Sequence, residues 1–199
     1  MSTPQGSPDG KQHVLRVDGH VLLIALFAVY LVLLAWLVLW KLDLPYVGAA
    51  AGLPRPIKLI PFLPSAQAGA SAPLEIIANI ALFIPFGVYL GLLAPSWSWW
   101  KWTGALIGAS LVLEATQHLI STGSFDTTDV IVNTAGGLVG LGLLALVRRR
   151  LQTRTALVVT RVCLVGTVVS VLAVGAFLAS PMHYRPLHDF IVARPSPSR

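Results

Sequence analysis

Long apolar runs separated by short polar breaks dominate the chain. Five runs approach or exceed the roughly 20 residues that a helix needs to cross a hydrocarbon core: residues 20–40, 76–94, 102–120, 130–147 and 156–179. The predicted architecture is an all-α polytopic membrane helical bundle of about five transmembrane helices. It forms one domain over residues 20–180, preceded by a mobile cytoplasmic segment, 1–19, and followed by a C-terminal tail, 181–199. Residues 1–10 and 194–199 are rich in Pro, Ser and Gly, as mobile ends often are. Pro85 lies inside the second run, where it removes a backbone donor and predicts a kink. Prolines at 45, 54, 56, 61, 64 and 73 exclude a regular helix over 43–74, which reads as a loop or re-entrant segment on the membrane face.

The polar exceptions to this pattern fall in three places. Glu75 and Asn79 open the second run, Glu114, Gln117 and His118 lie toward the end of the third, and Asp126, Asp129 and Asn133 precede or open the fourth. A start, an end and a start of successive spans lie on the same side of a membrane, whichever way the protein is inserted. Asp126, Asp129 and Asn133 are spaced i, i+3, i+7, close to one stripe if the helix starts near Asp126; the i, i+3, i+4 spacing of Glu114, Gln117 and His118 also gives one stripe. At 1.5 Å per residue Glu114 lies roughly 9 Å below Ile120, where a carboxylate must be protonated, paired or in a water-filled pocket. The candidate binding cluster is therefore Glu75, Asn79, Glu114, Gln117, Asp126, Asp129 and Asn133. The structural alternative is a hydrogen-bonded network that fixes helix register, each contact worth about 0.6–2 kcal/mol. Asp126 also suits an N-terminal cap for the fourth helix.

Composition agrees with a membrane protein. The 199 residues are 55% hydrophobic and 11% charged, with mean hydropathy +0.76, whereas soluble domains are about 25% charged. The net charge of +6 clusters at the ends of apolar runs, which suits membrane orientation and lipid headgroups and not nucleic acid. Arg148, Arg149, Arg150 and Arg154, with Lys11, Arg16 and Lys101, place the N-terminus in the cytoplasm and the C-terminus outside; Lys41, Arg55, Lys58 and Arg185 oppose this. Trp97, Trp99, Trp100 and Trp102 read as an interfacial belt around Lys101, with Trp36 and Trp40 as its outer counterpart. The first run exceeds the usual 7–15 residues of a signal-peptide core and reads as a retained helix. Cys163, the single cysteine, excludes an intrachain disulfide. Gly87-x-x-x-Gly91, Gly104-x-x-x-Gly108 and Gly136-x-x-x-Gly140 predict a tight unit of the second, third and fourth helices. No HExxH-type or cysteine-based zinc spacing occurs, and no metal or cofactor is assigned; an oxygen-rich shell for Mg²⁺ or Ca²⁺ is the narrower alternative.

These residues together resemble the VanZ-like family of bacterial membrane proteins, over about residues 59–146. The matching elements are Leu59-Ile60-Pro61-Phe62, then Glu75-x-x-x-Asn79-x-x-Leu82-Phe83-Ile84-Pro85-Phe86-Gly87. Ser110-x-x-x-Glu114-x-x-Gln117 follows, and then Ser124-Phe125-Asp126-x-x-Asp129-x-x-x-Asn133-x-x-Gly136. The resemblance implies a protein of the bacterial cell (inner) membrane, and some members are associated with low-level resistance to the glycopeptide teicoplanin. Members often have asparagine where this chain has Lys58, and arginine where it has Gly123; Arg55, Lys58 and His118 remain as cations for the acidic stripe. Three classes of function follow. The first is a non-catalytic envelope protein that binds a lipid-linked, peptidoglycan-related or glycopeptide ligand at its outer face. The second is a membrane enzyme acting on a lipid-linked or surface glycan, with Glu114 or Asp126 as acid or base. The third is a small proton-coupled transporter using Glu114. No nucleophile–base pair or phosphate loop is visible, and no internal repeat of the usual transporter kind, which favours the first class. Its partners are membrane lipids and such a ligand, with no nucleic acid; the oligomeric state is left open.

Overall fold

The structure is a computed structural model that describes residues 8–40, 57–62 and 73–179. Residues 1–7 and 180–199, most of the proline-rich loop and the cations Lys41, Arg55 and Arg185 lie outside the described residues, whereas residues 8–19, expected in a mobile segment, form the start of the first helix. Five helices follow in order: α1 Pro8–Trp40, α2 Pro73–Leu93, α3 Trp99–Leu119, α4 Thr127–Leu151 and α5 Thr155–Ala179, the last two joined by a single 3-10 turn. Two short strands, β1 Ile57–Lys58 and β2 Phe125–Asp126, pair in parallel.

Among the described residues, four stretches are long and apolar enough to cross a membrane: Gly19–Trp40, Pro73–Leu93, Thr127–Leu151 and Leu157–Ala176. The helix α3 has the length but not the apolarity, so five qualifying runs become four. Its polar residues Ser110, Glu114 and Gln117 are buried, while Ile107, Leu111 and Val112 face outward. Averaging along the sequence hides that separation, since an apolar face toward lipid needs only one side of a helix.

The helices α2 and α4 form the tightest pair, because glycines let their backbones touch. A Cβ at Gly136 would lie 2.3 Å from the Ile80 carbonyl oxygen, and one at Gly140 2.0 Å from that of Ile84. Both contacts keep the same offset, so the two helices run parallel in constant register. Gly87 meets the Gly137 carbonyl from the other side. The helix α3 runs antiparallel to α4, its Leu106 seated on Gly137 and its Ser110 on Asn133. The expected glycine pair on α3 does not take part: Gly104 and Gly108 face open space. They lie two residues either side of Leu106, on the opposite face of the helix.

The helix α1 closes the unit through an aromatic cluster. Phe27 packs edge-on to Phe86, and both Phe27 and Tyr30 pack against Tyr89, with centroids 5.3–5.5 Å apart. The Tyr30 hydroxyl donates to the Leu82 carbonyl, which lies one turn before Pro85.

Gly140→Ala should lower the stability of the folded protein by about 1–3 kcal/mol, because the added methyl meets backbone that cannot move aside. Gly142→Ala, whose Cβ meets nothing within 4 Å, should leave it unchanged. Thermal unfolding in detergent compares the two, and equal losses would remove the backbone contact as the cause.

Candidate functional site

The polar groups gather at the end of the bundle where α2 and α4 begin and α3 ends. The chain enters this region through β1, whose pairing with β2 sets Ile57 opposite Phe125 and Lys58 opposite Asp126. The Lys58 ammonium then lies 2.9 Å from Asp126 Oδ2, and Lys58 is only 3% exposed. Thr127 donates from its hydroxyl to the Lys58 carbonyl, and the Phe62 amide donates to Thr128 Oγ1. The segment is thus pinned at three points to the start of α4. Phe62 has φ 62°, a left-handed conformation costly for a bulky residue. The segment that it ends exposes Leu59, Ile60 and Phe62 by 69%, 64% and 53% above the ion pair.

Asp126 has two roles. It caps α4, accepting from the Thr128 amide at 2.8 Å, and it holds Lys58. Burial pushes its carboxyl up, but hydrogen bonds from Thr128 and Lys58 and the charge of Lys58 outweigh that. The carboxyl stays below its ordinary value. Its own amide donates to Glu114 Oε2 at 3.0 Å. Glu114 is almost fully buried and joins α3 to the cap of α4. The cation near this acidic stripe is therefore Lys58. Gly123 lies beside Gln117, with 3.6 Å between that side chain and a Cβ placed there.

The remaining candidates divide. Asn79 donates to Asp129 Oδ1 at 2.8 Å and ties α2 to α4. Asn133 donates to Ser110 at 2.9 Å, and its Oδ1 is buried with no hydrogen-bond partner. Gln117 turns away from the carboxylates and donates to the Val38 carbonyl of α1 at 2.7 Å. Glu75 is half-buried in the first turn of α2, one turn before Asn79. The helix α4 starts at Thr127, so Asp126 stands just outside the stripe as its cap. His118 is half-buried and its Nδ1 has no hydrogen-bond partner. Among the described residues no group of three or more His, Cys, Asp or Glu is placed to hold a metal ion. Ser110 and Thr128, both fully buried, are site residues that polarity alone did not single out; a hydroxyl in an apolar run has many bland uses.

Comparisons with known proteins place the chain among relatives. The model of the VanZ/LLP1 family matches residues 27–148, which adds the aromatic half of α1 to the motif-bearing helices. The chain is 33% identical over 136 residues to "Protein VanZ" of Enterococcus faecium, covering 68% of this chain and 81% of that protein. No solved structure matches.

Removing one partner of a buried ion pair leaves a charge uncompensated, at a cost of about 3–5 kcal/mol. Lys58→Met alone should therefore destabilise strongly, and Lys58→Met with Asp126→Asn should recover part of the loss. Additive losses in a double-mutant cycle would refute the coupling. The pH dependence follows from the lowered carboxyl. Its contribution is fully present above the unfolded value, about 3.9, and is lost as pH falls through the lower folded value. The thermal advantage of wild type over Asp126→Asn should thus be constant near neutrality and shrink below about pH 4.

Proposed function

The chain belongs to the VanZ/LLP1 family, and from that premise we propose that it binds an amphiphilic envelope ligand at the Lys58–Asp126–Glu114 end of the bundle. The ligand class is lipid-linked, peptidoglycan-related or glycopeptide, and binding contributes to glycopeptide (teicoplanin) tolerance without catalysis. The observation that carries the reading is the apolar turn Leu59–Ile60–Phe62 held over a buried ion pair. Leu119, at the end of α3 on the same side of the bundle, is also 79% exposed. A ligand with an apolar tail and a polar head matches both parts. Glu75, Asn79 and Asp129 are half-buried at the same end and keep part of their surface open to such a head.

Binding is favoured over acid–base chemistry because the carboxylates already have structural partners. Glu114 accepts from a backbone amide, Asp126 holds Lys58 and caps a helix, and Asp129 accepts from Asn79. Preorganised polar groups of this kind recognise a shape at little cost in ordering.

In the proposed orientation the site faces outward across the bacterial inner membrane, with the N-terminus in the cytoplasm and the C-terminus outside. The arginines of α4 lie at the other end and suit the cytoplasmic side. A phosphatase fused at the C-terminus, active only outside the cytoplasm, should be active. An inactive fusion at normal expression would invert the topology.

Glu114→Gln keeps an oxygen to accept the Asp126 amide but removes the charge, so it should preserve membrane expression and thermal stability. Teicoplanin tolerance should fall to that of cells lacking the protein. If Gln matches wild type in all three measurements while Glu114→Ala loses expression, Glu114 is structural and the site does not bind through it.

A further inference from the structure

A second feature runs along the bundle from mid-depth to the end far from this site. A cavity of about 630 Å³ opens between α1, α2, α4 and α5. Leu37 and Val88 line it, with Leu143 and Val147 of α4 and Val158 and Val162 of α5. Its few polar groups bond within the protein: Tyr89 with Thr167 at 3.0 Å, Tyr30 with the Leu82 carbonyl, and Ser170 with the Gly166 carbonyl. They offer water little, and a cavity walled this way stays dry or takes an apolar guest.

Length and charge identify the guest. The α5 stripe along the cavity runs from Val158 to Ser170, roughly 18 Å at 1.5 Å per residue, close to the hydrocarbon depth of one leaflet. The α4 side ends at Leu151, directly after Arg148, Arg149 and Arg150, and Arg154 follows in the next turn. Arg161 is exposed two turns into α5, on the face turned away from the cavity that Val158, Val162 and Gly166 line. Among the residues whose side chains are described, the acidic groups Glu75, Glu114, Asp126 and Asp129 all lie toward the opposite end of the bundle. A headgroup phosphate at the level of Arg150 and Arg154 supplies the anion that these cations attract.

We propose that this cavity holds one acyl chain of an anionic phospholipid, whose headgroup phosphate is bound by Arg150 and Arg154. The site is independent of the ion-pair site and survives its failure.

Gly166 allows a direct test. It lines the cavity, and a Cβ there meets nothing within 4 Å, so Gly166→Leu fills the space without collision. Gly175→Leu, also in open space but away from the cavity, controls for the substitution itself. The full-length protein is titrated with dioleoyl phosphatidylglycerol and with dioleoyl phosphatidylcholine, and bound lipid is counted by native mass spectrometry. Wild type and Gly175→Leu should retain one phosphatidylglycerol in preference to phosphatidylcholine. Gly166→Leu should lose that retention, and Arg150→Gln with Arg154→Gln should weaken it by roughly tenfold. Equal retention by all variants, or equal retention of both lipids, would overturn the site. Should Gly166→Leu unfold, a phosphatidylglycerol with a diazirine in its acyl chain decides on the wild type alone. Crosslinks at 158, 162 and 166 are expected, and crosslinks only on the outward face of α5 would refute the proposal.

Discussion

Gly136 and Gly140 of α4 lie against the carbonyls of Ile80 and Ile84, and the rest of the molecule is arranged around that contact. Without side chains between them, α2 and α4 approach at backbone distance and keep one register. In lipid no hydrophobic force drives helices together, so dispersion over such close surfaces does much of the holding. The same register brings Asn79 opposite Asp129 and fixes where both helices begin. Gly137 receives Leu106, which aligns α3, and the α3–α4 register then sets Ser110 on Asn133 and Glu114 on the amide of Asp126.

The medium explains why the polar network is so thoroughly bonded. A bilayer supplies no hydrogen bonds, so polar groups find partners in the protein, with His118 Nδ1 and Asn133 Oδ1 as exceptions. Gln117 reaches the Val38 carbonyl, Arg148 reaches the Gly91 carbonyl at the other end, and Tyr30 reaches Leu82 one turn before Pro85. Polar side chains here join helices to one another more than they face solvent. Functional and structural roles therefore coincide in residues such as Asp126, which caps a helix, pairs with a lysine and presents its amide to Glu114.

The two ends of the bundle differ in kind. One end carries carboxylates, amides and a buried lysine under an apolar turn. The other carries arginines, exposed tryptophans and the mouth of an apolar cavity. Trp99 and Trp100 stack with centroids 3.6 Å apart beside Lys101, as suits an interface between hydrocarbon and headgroups.

The sequence by itself determined the helical class, the approximate helix positions and the gathering of the polar residues at one end, because hydropathy and alternation of spans depend on local composition alone. It also identified the glycine pair on α4, since small residues at i, i+4 mark a face that can approach another helix. Only the tertiary structure decided which glycines are used: Gly104 and Gly108 have the same spacing but the wrong face. It also decided that Gln117 serves α1 and not the carboxylates, and that Lys58, far away in sequence, is the cation beside Asp126. A pairing between residues 58 and 126 depends on a two-residue parallel bridge, too short to leave a periodic trace. The polarity of α3 misleads for a related reason. Hydropathy counts Glu114 and Gln117 as exposed to the surroundings, while packing has turned them inward.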